Sequence, residues 1–191
     1  MLNSESKPKK KKTAVIAVIA AIVVVVIALV IIISGSNKSK NYMIARELWL
    51  QGDKQAAVVI WQDMYSYKDS GEYVDEFKNN IVQQLSQGKW TTEFLSDNNG
   101  YGTKWEGYYF LEFDPDGTCI FSWDGQYSGE RDNKSQDQAE KTYEISVSES
   151  AIKLTVNDDE GVIRMDGDEL KDFSLTFAVY YNEESHNFTR M

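Results

Sequence analysis

The spacing of apolar and polar residues divides the chain into three stretches. Residues 14–33 are apolar without interruption. Residues 41–87 place apolar side chains three and four positions apart, as on one face of a helix. From Gly88 onward, apolar and polar residues alternate, which is typical of half-buried strands. The pattern predicts an α+β chain, in which an apolar segment and three helices precede an antiparallel β-meander.

The apolar segment predicts a membrane span. As a helix, residues 14–33 would be about 30 Å long, which matches the hydrocarbon core of a bilayer. No face of the segment is polar, so a core helix of a soluble domain is a poor alternative. A cleaved signal peptide is a second alternative, but its apolar region runs to only about 7–15 residues. We interpret residues 13–34 as an uncleaved transmembrane signal anchor.

The charges beside this segment predict its orientation. Lys7 and Lys9 to Lys12 precede the span, and positive loops stay on the cytoplasmic side. Residues 1–12 are therefore expected to form a cytoplasmic basic tail. Residues 35–40 read as a short polar linker. The prediction is a single-pass protein of the cell membrane whose C-terminal part is extracellular.

Residues 41–87 predict three helices that contain no proline. Gly52 is placed to end the first helix, and Asp53 is placed to cap the second. Asp69, followed three residues later by Glu72, resembles a capping box at the start of the third. Three apolar stripes support these helices: Tyr42, Ala45, Leu48 and Trp49; Ala56, Val59, Ile60 and Met64; Tyr73, Phe77, Ile81 and Leu85.

One β-hairpin has a register that the sequence defines. The segment 114–117, Asp-Pro-Asp-Gly, suits a type I turn followed by a left-handed glycine, which pairs Asp114 with Thr118. That register puts six apolar side chains on one face of the hairpin: Tyr109, Leu111, Phe113, Cys119, Phe121 and Trp123. We therefore expect Phe121 and Trp123 to be buried.

Further alternating segments predict an all-antiparallel domain over residues 88–191. Strands are expected at 143–147, 152–156, 162–165 and 173–179, with a short last strand near Phe188. Residues 130–141 are polar and read as a long loop. Seven or eight short strands in succession predict a meander that is closed as a barrel or flattened as a sandwich.

The helical region resembles tetratricopeptide-type helical pairs, as found in membrane-anchored proteins of Gram-positive bacteria. The resemblance rests on Ala45-x-x-Leu48, Gly52-Asp53, Ala56-Ala57, Trp61 and Met64, followed by Tyr67-Lys68-Asp69-Ser70. Residues 41–87 hold about one and a half repeats, whereas about three are needed to bury the apolar faces. This helical hairpin is therefore expected to pack on the following domain, a second copy or a partner.

The β-region resembles the small lipocalin-like domains of secreted bacterial proteins. The similar segments are Gly88-Lys89-Trp90, Phe113 to Thr118, Thr142 to Ile145 and Met165 to Leu170. The resemblance implies an apolar ligand inside a barrel, and this implication is an analogy at the level of the fold.

Composition excludes several classes of function. The net charge is −10 although five lysines stand in the first twelve residues, so the rest of the chain is strongly acidic and unsuited to nucleic acid. One cysteine and one histidine exclude a disulfide framework, a cysteine-rich zinc site and a histidine-pair metal motif.

The remaining reactive residues read as structural. His186 falls in a polar segment and is expected to be a solvated turn residue. Cys119 is expected to be a small buried apolar group. The acidic segments at 114–116 and 157–161 suit turns, with calcium binding as the alternative. We predict no catalytic residue, no metal and no cofactor.

Two hypotheses for a non-catalytic role follow, with an enzyme as a third. In the first, the protein binds a partner protein of the cell envelope through its helices, at Trp49, Trp61 and Tyr65. In the second, the β-domain binds a small apolar ligand at Trp105, Tyr109 and Trp123. A cavity in the β-domain would favour the ligand, and a filled core with an apolar groove on the helices would favour the partner.

Overall fold

A computed structural model describes residues 37–98, 104–128, 133–179 and 182–191. The predicted basic tail, membrane anchor and first residues of the linker lie outside these ranges. Within them, no helix is both long and apolar enough to cross a membrane. A boundary between two compact units falls after Ile44, and the second unit, Ala45–Met191, is the one described below.

Three helices are present in the described part of the chain, as predicted. They are α1 over residues 37–51, α2 over Lys54–Gln62 and α3 over Ser70–Leu85. Gly52 adopts a positive φ of 91°, which ends α1, and the Asp53 carboxylate accepts a hydrogen bond from the Ala56 amide at the start of α2. Asp69 begins α3, but its side chain makes no capping hydrogen bond, so the predicted capping box is not formed.

Nine antiparallel strands follow the helices. They are β1 Lys89–Thr92, β2 Leu95–Asn98, β3 Lys104–Phe113, β4 Thr118–Ser128, β5 Asn133–Val147, β6 Ile152–Val156, β7 Asp159–Asp166, β8 Glu169–Val179 and β9 Asn182–Arg190. From β2 to β9 each strand pairs with the next, and β1 pairs with both β9 and β3. The sheet is therefore a closed eight-stranded barrel, consistent with a lipocalin-like barrel, and β2 lies alongside β3 as an extra short strand.

The predicted hairpin register is confirmed. Phe113 lies opposite Cys119, and Tyr109 opposite Trp123. The amide of Asp114 donates to the carbonyl of Thr118 at 2.8 Å, and Gly117 has a φ of 94°. Hydrogen bonds from Thr118 hold the pKa of Asp116 below its ordinary value.

Aromatic side chains fill the described interior of the barrel in two layers. In the layer nearest the helices, the Phe173 ring lies 5.2 Å from that of Trp90, 5.0 Å from Phe188 and 5.7 Å from Phe113. In the next layer, rings of opposite walls also meet. Its members are Tyr109, Phe121, Phe177 and His186, with centroid distances of 4.5–6.2 Å.

Two sequence predictions about polar segments are wrong. Residues 133–141 form the first part of β5 and not a loop. His186 lies on β9, not in a turn, and its buried ring is 4.5 Å from that of Phe177. The polar composition of residues 133–141 hid a strand. His186 is buried because side chains on other strands cover it.

Helices α2 and α3 pack against one end of the barrel, which is one of the three supports expected for the incomplete repeat. The indole N–H of Trp90 donates to the carbonyl of Leu85 at 2.8 Å, which joins β1 to the end of α3. The Gln84 side-chain amide binds both sides of the β7–β8 turn: its oxygen accepts from the Leu170 amide at 2.6 Å, and its nitrogen donates to the Asp168 carbonyl at 2.7 Å. Gln55 on α2 reaches the β5–β6 turn at Ser148.

We predict that Gln84→Ala lowers the free energy of unfolding by about 1–3 kcal/mol, because it leaves the half-buried amide of Leu170 without its acceptor. The neighbouring Gln83 is exposed, so Gln83→Ala should change stability by less than about 0.5 kcal/mol. Denaturant unfolding of the two variants measures the difference. Equal effects would contradict a stabilising role for the contact.

Candidate binding site at the open end of the barrel

The wall of the barrel is incomplete between β5 and β8. Residues 133–142 of β5 pair with β4, but only residues 143–147 pair with β6. On the other side, the pairing of β8 with β7 ends at Leu175, and residues 176–179 pair with β9 alone. The β6–β7 hairpin is therefore too short to fill the wall. We call the resulting opening, between 133–141 and 176–179, the mouth.

Solvent exposure agrees with such an opening. Asp137 and Ala139 lie opposite Trp123 and Phe121 in the register, so they face the interior, yet both are exposed. Farther along the same strand, the inward-facing Ile145 is buried. The inner face of β5 is therefore covered only where β6 lies beside it.

Among the described residues, no strand pairs with the edge of β5 at the mouth. Thr142 is the last residue that holds β5 to the β6–β7 turn, because its carbonyl accepts from the Asn157 amide at 2.9 Å. Backbone groups alternate in direction along a strand, so those of Gln136, Gln138 and Glu140 also point into the opening. The Gln138 amide is satisfied locally by the Asp137 carboxylate at 2.8 Å. Such an edge is a template for another strand.

Aromatic rings form the floor of the mouth. Tyr109 and Trp123 are half-buried, and Phe121 beside them is buried. Trp105 is buried and stacks on Tyr109 with ring centroids 4.8 Å apart. The structure thus brings Trp105, Tyr109 and Trp123 together on the inner face, with only the last two open to solvent. The prediction that Trp123 is buried is met only in part, because the mouth lies in front of it.

Two glycines that the sequence analysis did not single out make room for Trp105. Gly107 and Gly125 lie opposite each other on β3 and β4. A Cβ atom on Gly125 would lie 2.5 Å from the indole Cε2 of Trp105, and one on Gly107 would lie 2.9 Å from its Cζ2. Glycine at both positions lets the indole lie against the wall of the barrel.

A partly buried ion pair lies at the base of the mouth. The Nζ of Lys141 is 2.9 Å from a carboxylate oxygen of Asp159 and 4.7 Å from the ring centroid of Phe121. Lys141 also lies opposite Cys119. Burial raises the pKa of Cys119 to about 11 against the opposing effect of the Lys141 charge, so Cys119 is a neutral thiol at pH 7. This agrees with its predicted role as a small core residue.

The three helical candidates occupy different environments. Trp61 is fully buried and stacks on Tyr73 with centroids 4.4 Å apart. Trp49 is half-buried, and its ring centroid lies 5.5 Å from that of Trp61. The Nζ of Lys54 lies over the Trp49 ring, 4.9 Å from the centroid. Tyr65 is exposed, and its hydroxyl donates to Asp75 at 2.6 Å. Trp61 is thus a core residue of the helices, and of the three only Trp49 and Tyr65 present surface to a partner.

Comparison of the chain with protein-family models, with curated proteins and with solved structures found no match. The barrel architecture therefore rests on the structure itself. The tetratricopeptide resemblance and the bacterial source stay predictions from sequence.

Proposed function

We propose that this chain is a membrane-anchored, extracytoplasmic, non-catalytic binding protein of the cell envelope, and that it binds an extended segment of a partner protein at the mouth. The uninterrupted apolar residues 14–33 and the lysines before them support the anchor and its orientation. The unpaired edge of β5 is the observation that supports the mode of binding.

Two properties of the mouth suit a strand of a partner. Backbone groups of residues 136–140 can form ladder hydrogen bonds, and the half-exposed rings of Tyr109 and Trp123 can take apolar side chains from alternate positions. The rim favours a basic segment, because Asp137 and Glu184 face inward and are exposed, whereas Lys141 is already paired with Asp159.

A small apolar ligand is the second candidate for the same place. Tyr109 and Trp123 are each partly exposed, and both rings neighbour Phe121, although the described interior below them is filled. Such a ligand would lie on Tyr109 and Trp123 at the mouth and not in a deep cavity.

Protease treatment of intact cells or protoplasts tests the topology. We expect digestion of residues 35–191 and protection of an epitope placed before residue 13, because the basic tail stays in the cytoplasm. Permeabilised cells, in which both parts are accessible, are the control. Protection of the C-terminal domain in intact cells would contradict the proposal.

Site-specific crosslinking tests the mouth. A photo-crosslinking amino acid in place of Gln138 should give a discrete protein adduct in intact membranes, and the same group in place of the outward-facing, exposed Lys153 should not. Adding Glu140→Pro should abolish the adduct, since it removes an edge N–H while the ladder with β4 stays intact.

Loss of the adduct should occur without loss of the fold, which circular dichroism of the Glu140→Pro variant checks. An adduct that persists in this variant would contradict strand addition. No protein adduct at Gln138 would favour the small ligand as the occupant.

A further inference from the structure

The outer face of the barrel carries a groove that the mouth does not account for. It has a volume of about 410 Å³. Its lining residues are Lys89, Phe110, Ser122, Trp123, Asp124, Gln136, Asp137 and Gln138. We call it the outer groove.

The register of three strands explains its shape. Phe110, Ser122 and Gln138 form one cross-strand row on the outer face. Tyr108, Asp124 and Gln136 form the next row. Each row therefore runs from an aromatic ring on β3, over a short polar side chain on β4, to an amide on β5. Because the β4 side chains are short, a trough runs along this strand between an aromatic ridge and an amide ridge.

The aromatic ridge lies in solvent. Tyr108 is 41% exposed and Phe94 is 56% exposed, and their rings meet edge to face at 5.4 Å. The ring of Phe110 lies 6.3 Å from that of Tyr108 and beneath the Nζ of Lys89 at 4.5 Å. Neighbouring large rings on the outside of a sheet add nothing to the barrel core, and such exposed patches mark binding surfaces.

We infer that the outer groove binds a neutral polysaccharide segment. The C–H faces of sugar rings lie flat against exposed aromatic rings, here that of Tyr108, which borders the groove in one row with Asp124 and Gln136. Sugar hydroxyls both donate and accept hydrogen bonds, as the amides of Gln136 and Gln138 and the hydroxyl of Ser122 also do.

Charge narrows the class of polymer. The Asp124 carboxylate lies on the outer face at the groove, and Lys89, the only lysine or arginine among the described lining residues, is paired with Glu112 at 3.0 Å. An anionic chain such as a nucleic acid or a polyuronate is repelled by this lining. A purely apolar ligand would leave the amides and carboxylates of the groove without hydrogen-bonding partners. A neutral glycan can stack on an aromatic ring and also form hydrogen bonds with the polar groups of the groove.

Saturation-transfer NMR with the full-length protein in detergent micelles tests this site. The probes are N-acetylchitotetraose and cellotetraose, with protein-free micelles as the blank. We expect transfer to the sugar-ring protons of at least one probe, and an affinity at least tenfold lower after Tyr108→Ala or Gln138→Ala. Tyr108→Phe keeps the ring and should retain binding, and Tyr65→Ala removes an exposed tyrosine from the helices and should have no effect.

Three results would overturn the inference. They are no transfer to either probe, unchanged binding in both Tyr108→Ala and Gln138→Ala, or preferred binding of tetragalacturonate. Circular dichroism establishes that each variant is folded. The crosslinking experiment at the mouth detects protein adducts, whereas this one detects transfer to sugar protons, so either proposal can fail alone.

Discussion

Closure of the barrel depends on β1, a strand of four residues. Trp90 pairs with Leu111 of β3 on one side and with Arg190 of β9 on the other. Its ring is fully buried against Phe173, and its indole N–H is bonded to the last residue of α3. The step that closes the sheet therefore also fixes the helices. The helical segment is near the lower size limit for independent folding, and the barrel supports its apolar face.

The opposite end of the barrel is governed by the length of one hairpin. Strands β6 and β7 stop at Asn157 and Asp158, while β5 and β8 continue past them. The same short hairpin leaves an unpaired backbone edge, exposes part of an aromatic floor and places the Lys141–Asp159 pair at its base. Both candidate occupants of the mouth follow from this single feature, whereas the outer groove depends on side chains that face away from it.

The sequence was most informative where local chemistry and periodicity agreed. The turn at Asp114 to Gly117 fixed the hairpin register, and Gly52 with Asp53 fixed the break between the first two helices. The start of β5 was missed because alternation in hydrophobicity arises only where one face is covered, and residues 133–141 face the opening. His186 was misplaced because its burial depends on Tyr109 and Phe177, which approach it only in the closed barrel.

The sequence predicted that three aromatic residues of the β-domain share one face, but it did not predict the opening in front of them. Trp105, Tyr109 and Trp123 do share an inner face, because the hairpin register is local. Sequence could not distinguish a hollow barrel from a filled one, since that depends on whether side chains from opposite walls meet. The sequence also could not show that β5 extends beyond the end of β6, because this depends on long-range strand pairing.

The central claim is that β5 has a free edge, and residue-resolved amide hydrogen exchange of the full-length protein tests it most directly. The account predicts that the amides of Gln136 and Glu140 exchange much faster than the amide of Glu144, which points to the same side of β5 but lies where β5 is paired with β6. Protection at Gln136 and Glu140 equal to that at Glu144, in protein free of any partner, would mean that another strand covers this edge of β5 and would contradict the account.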